Sequence, residues 1–161
     1  MKIAVIGCSE SHDLAPFNDP SWVKWGLRQD PKYWPIFDLT FEIHLKKILE
    51  KDNIWDDVIA KSHDAELILR EDYGLNTKIY PLEEIYSIHG KYLTSSVAYM
   101  LALAIHKEPK EIGIWGVEMN EDKYHYQRPN LEYLIGYAKG KGIKITIPHH
   151  CPLLKAPLYG I

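Results

Sequence analysis

The stretch LTSSVAYMLALAIHKEPKEIGIWGVEM, Leu93–Met119, decides the fold. From Val97 to Ile105 it is apolar on every side, so it reads as a helix buried all round rather than one lying on a surface. Thr94, Ser95 and Ser96 stand before it, where a hydroxyl caps the first turn. EIGIWGVEM (111–119) follows as a short apolar run and predicts a strand buried on both faces. A buried helix delivering the chain into a buried strand is half of a crossover unit.

Outward from this stretch the same grammar repeats. KIAVIG (2–7) predicts a buried strand, AELILR (65–70) another, TKIYPLEEIYSIHG (77–90) a strand ended at Pro81 and then a helical turn. PNLEYLIGYAKGKG (129–142) predicts an amphipathic helix, with Pro129 in its first turn and Gly140 and Gly142 at its end, and IKITIP (143–148) a closing strand. SWVKWGLRQD (21–30) reads as a short helix started by Ser21. FDLTFEIHLKKILEKD (37–52) reads as a helix with Leu39 or Phe41, Leu45, Ile48 and Leu49 on one stripe. NIWDDVIAKS (53–62) reads as a shorter helix or a loop and turn. The pattern predicts one α/β domain over residues 1–161, a mostly parallel sheet with helices on both faces.

Composition narrows the function. Nineteen basic and 22 acidic residues give a net charge of −3, which argues against duplex nucleic acid as the main partner. Two cysteines without metal-type spacing, no signal peptide before Lys2 and no apolar run long enough for a bilayer point to a cytoplasmic protein away from membranes. His149 and His150 are adjacent, and on extended chain they point opposite ways, so no metal is predicted there.

Parallel sheets bind ligands at the carboxyl ends of their strands. GCSESHD (7–13) empties from the first strand onto that edge. Gly7 permits close backbone approach, and Ser9 and Ser11 offer donors to phosphate or sugar oxygens. A helix reached from a strand puts its N-terminus on the same edge, which adds Ser95 and Ser96. Glu118 follows the apolar run IGIWGV directly, placed to accept from ribose hydroxyls or a base amine. His125 and His44 are the candidate acid or base, since imidazole titrates near neutrality.

Residues 93–119 also resemble the second-half signature of a Rossmann-type group that includes bacterial sialyltransferases using CMP-sialic acid and archaeal pterin pyrophosphokinase-like proteins. There a TSG-like turn opens a buried helix and a strand ends in G-hydrophobic-Asp. Here TSS, KEIGIWG and VEM take those places, with Glu118 as the acid. GCSESHDL stands where the group has a loop like GNGPSL, and WGLRQ puts Arg28 where it has Asn. FDLTFEIH resembles its aromatic-acid segment. The chain is also similar to small bacteriophage proteins sharing WG, FE-x-H, SS-x-AYM-x-ALAI and YQRPN-x-EYLIGYA. If it is phage-encoded, its place is the host cytoplasm.

The resemblance implies a Rossmann-like domain that binds a nucleotide or nucleotide-sugar; apart from the resemblance, a second copy of the chain, in a homo-oligomer, is the other partner expected. It implies transfer of a glycosyl or pyrophosphoryl group, with a site built from Gly7, Ser9, Ser11, Arg28, Ser95, Ser96 and Glu118. It identifies no further cofactor. Two alternatives stand beside it. One is cleavage of an N-glycosidic bond in a nucleoside or dinucleotide with Glu42 or Glu118 as nucleophile or stabiliser. The other is non-catalytic nucleotide binding or sequestration.

Overall fold

A computed structural model describes residues 1–28, 36–62 and 66–160. Strand β1 (Lys2–Ile6) lies inside a seven-stranded sheet. The others are β2 (Trp22–Leu27), β3 (Leu39–Glu42), β4 (Leu67–Leu69), β5 (Lys78–Ile79), β6 (Glu111–Trp115) and β7 (Lys144–Thr146). Every pairing is parallel, in the order β5-β4-β3-β2-β1-β6-β7. The chain walks outward from β1 to β5, then returns to β1's other side for β6. The order therefore reverses between β1 and β6, where parallel sheets open a crevice for ligands.

Side-chain alternation divides the core. Ile3 and Val5 of β1, Trp25 of β2, Phe41 of β3 and Ile68 of β4 face one layer, made by α3 (Leu82–His89), α4 (Ser96–His106) and α5 (Arg128–Gly140). Nine consecutive residues of α4, Val97–Ile105, are buried, as its uniformly apolar sequence requires. Ala4, Ile6, Trp22 and Trp115 face the other side, under Ala15 and Phe37. On that side Leu67 and Leu69 meet Leu49 of α1 (Lys46–Lys51) and Val58 of α2 (Trp55–Lys61). The α/β sheet with helices on both faces is as the sequence predicts. Among the described residues no helix is long and apolar enough to cross a membrane.

Two elements differ from expectation. The helix expected over 21–30 is strand β2, its last residues Gln29 and Asp30 lying outside the described residues, as does Ala65 before β4. Trp22 and Trp25 sit three apart, which suits a helix. They instead anchor opposite faces of a strand, Trp22 edge-on to Trp115 at 5.3 Å and Trp25 on Phe41 at 5.4 Å. Pairing with β1 from Lys2–Trp22 to Ile6–Gly26 satisfies the backbone and outweighs the local period. The helix expected over 37–52 splits into β3 and α1. Leu39, Thr40, Phe41 and Glu42 are all buried, the mark of a parallel strand covered on both faces, and the supposed stripe residue Ile48 is 38% exposed.

Candidate functional site

The crevice at the β1–β6 reversal is a cleft of about 480 Å³. Its floor is two backbones in contact. Gly7 donates its N–H to Trp115 O at 2.8 Å, and Ser9 N–H reaches Gly116 O at 2.9 Å. A Cβ on Gly7 would lie 2.3 Å from Gly116 O, and one on Gly116 would lie 2.4 Å from Gly7 O. Gly116 also has φ +66°, a conformation side chains resist. Both glycines are thus required by the crossing itself.

One wall is the start of α4. Ser95 caps it, its Oγ accepting from Ala98 N–H at 3.1 Å, and Thr94, Ser96 and Val97 border the cleft beside it. Asn130 of α5, fully buried, sets this wall. Its Oδ1 accepts from Thr94 N–H and Oγ1, both at 3.1 Å, and its Nδ2 donates to Tyr92 O at 2.6 Å. Tyr124, Tyr126 and Gln127, which lead into α5, also line the cleft and bring two aromatic rings to it.

At the rim, β2 and β3 end side by side and bring Arg28 to Glu42. Arg28 Nε donates to Glu42 Oε2 at 2.5 Å. His44 lines the cleft and holds the other oxygen, with its N–H at 3.0 Å and Nδ1 at 2.6 Å from Oε1. Glu42 is only 2% exposed. Burial alone would push its carboxyl up, but hydrogen bonds from His44 and Arg28 outweigh that and hold it below the usual range. The bond to Glu42 raises the His44 pKa against the opposing effect of burial. The arrangement is an imidazole oriented through Nδ1 by a carboxylate that is itself fixed by a guanidinium, leaving Nε2 for proton traffic.

The expected site residues fall into three groups. Gly7, Ser9, Ser95, Ser96 and His44 line the cleft together. Ser11, Glu118, Glu42 and Arg28 stand behind that lining. Ser11 Oγ accepts from Gly116 N–H at 2.7 Å, and Ser11 N–H donates to Glu118 Oε1 at 3.2 Å, so the pair clamps the glycine crossing from beneath. Glu118 Oε2 is buried without a hydrogen-bond partner. His125 lies elsewhere, exposed, its Nδ1 on Asp122 O at 2.8 Å, in a separate depression with Arg128 and Glu132. Gln127 and Asn130 are positions sequence reasoning passed over, and Thr94 it read only as one of three hydroxyls able to cap the helix. Nothing local marks Asn130, whose partners Thr94 and Tyr92 lie 36 and 38 positions away.

In fold, the chain is similar to two structures of the sialyltransferase CstII from Campylobacter jejuni. One is in complex with a substrate analogue, CMP-3FNeuAc. It is 16% identical with a TM-score of 0.56, covering 94% of this chain and 80% of that one. The other, with cytidine-5'-monophosphate, is 14% identical with a TM-score of 0.55 and the same coverage. No family model matches the chain, and no curated protein matches it in sequence.

Proposed function

We propose that the chain binds a nucleotide-sugar in the β1–β6 cleft and transfers its glycosyl group. The observation that carries this reading is the cleft's lining, which gathers the hydroxyls of Ser9, Ser95 and Ser96, the first turn of α4 and His44 at the switch point of a parallel sheet. A fold likeness to a sialyltransferase whose structures hold CMP or a CMP-sugar analogue supports the choice of ligand. The helix α4 N-terminus favours a phosphate. The tyrosines 124 and 126 offer faces for a base or sugar ring.

In the transfer, His44 Nε2 accepts the proton of the acceptor hydroxyl as its oxygen bonds to the anomeric carbon. The bond from that carbon to the nucleotide's phosphate oxygen breaks, and the phosphate leaves with both electrons. The donors at α4 and Ser9 stabilise the charge it gains. Glu42 and Arg28 act through His44 as positioning residues. A carboxylate this buried and already held on both oxygens suits orientation better than nucleophilic attack on a glycosidic bond.

The test is incubation with radiolabelled CMP-sialic acid and related nucleotide-sugars, with and without simple sugar acceptors. Labelled glycoside and free nucleotide are expected, and His44→Ala should lower turnover at least 100-fold by loss of the base. Stoichiometric binding with the ligand recovered unchanged would favour sequestration instead, and absence of nucleotide binding would remove the ligand class.

A further inference from the structure

The chain has three arginines. Arg28 is committed to Glu42, and Arg128 to Glu132 and to the carbonyls of Pro152 and Lys155. Arg70 is different. It follows β4 directly, on the carboxyl edge of the sheet, and among the described residues no carboxylate lies within ion-pair distance of it. Its Nε is buried and has no hydrogen-bond partner. Its guanidinium sits 5.6 Å from the centre of the Tyr99 ring. Tyr99 cannot neutralise it as a phenolate at ordinary pH, because burial pushes that hydroxyl up to about 12.

Arg70 lines a second lobe of about 290 Å³, with Leu93 and Tyr99 as its apolar and aromatic sides. This lobe shares His44, Thr94, Ser95 and Ser96 with the main cleft. His44 and the capped start of α4 thus border both cavities. A buried, unpartnered guanidinium nitrogen is costly, and a planar oxyanion is the group that relieves it best. The main cleft offers donors but no arginine of its own.

We propose that the Arg70 lobe is an oxyanion subsite for a second ligand, one carrying a carboxylate or phosphate. On the glycosyl-transfer reading, on which this extension rests, that ligand is the acceptor. Its anionic group sits on Arg70, and its hydroxyl extends past the shared residues into the main cleft, where it meets both His44 Nε2 and the donor's anomeric carbon.

Three probes share one hexose scaffold: glucuronic acid, its neutral methyl ester and glucose 6-phosphate. Each is titrated into the full-length chain by ligand-observed NMR, with CMP titrated separately. The acid or the phosphate should bind wild type at least ten-fold more tightly than the ester, and which of the two does so identifies the anion. Arg70→Gln should erase the preference while leaving CMP affinity within two-fold, and Arg70→Lys should keep part of it. Should Arg70→Gln misfold, the wild-type comparison of acid, phosphate and ester still decides. Equal binding of all three, or a preference that survives in Arg70→Gln, overturns the subsite. Intact CMP binding with no anion preference overturns this proposal alone. Anion preference without CMP binding supports the subsite and overturns the nucleotide reading.

Discussion

Glu42 and His44 form a pair whose two protonation equilibria are coupled through one short hydrogen bond, 2.6 Å long. The bond raises the His44 pKa because the imidazolium is the form that Glu42 stabilises. Glu42→Gln removes that charge, so the His44 pKa should fall toward the ordinary histidine value of about 6.5. An NMR titration of the His44 ring should show its midpoint lower in the variant than in wild type. The base is active when neutral, so the rise of turnover with pH should move to lower pH in step. An unmoved midpoint would detach Glu42 from His44. The sequence offered both residues, but as neighbours on a helix. Only the ending of β3 at Glu42 lets the buried carboxylate hold a histidine two residues on while meeting Arg28 from the next strand.

At the scale of elements, the ends of β1 and β6 and the start of α4 carry the cleft. Gly116→Ala should cost at least about 2 kcal/mol, combining left-handed strain with a clash against Gly7 O. Gly136, exposed in the middle of α5 with open space around it, is the contrast. Gly136→Ala should stabilise by about 0.5–1 kcal/mol through helix propensity. Chemical denaturation of both variants checks the pair. Ser95→Ala should lose about 1 kcal/mol of stability with its cap, whereas Ser9→Ala, whose side chain caps nothing, should unfold as wild type does. CMP titration should find both weakened. If Ser95→Ala melts at the wild-type temperature, the cap contributes nothing measurable. The cap at Ser95 was legible because a hydroxyl before an apolar run has a local purpose. The crossing of Gly7 over Gly116 was not, because 109 positions separate the two partners.

Over the whole molecule, Asn130 joins the last helix to the loop that opens the cleft. Asn130→Ala would remove the partners of Thr94 N–H and Tyr92 O, two half-buried bonds, at about 0.5–1.5 kcal/mol each. Hydrogen exchange should rise across residues 92–96, and CMP affinity should fall with it. Protection unchanged there would show the loop to be held by other contacts. By itself the sequence determined the α/β layering, the burial of α4 and β6, and the sheet edge to which the loop after β1 and the start of α4 belong. These follow from runs apolar enough that only a two-sided interior accommodates them, and from a parallel sheet's need for crossovers. Tertiary structure decided the rest. Trp22 to Leu27 and Leu39 to Glu42 suit either period locally, and the hydrogen-bond ladder leading out from β1 made them strands. That choice set the ends of β2, β3 and β4 in a row. It thereby brought Arg28 to Glu42, placed His44 on the border of both cavities and left Arg70 beside the second, because strand register fixes which side chains share an edge and no local pattern encodes it.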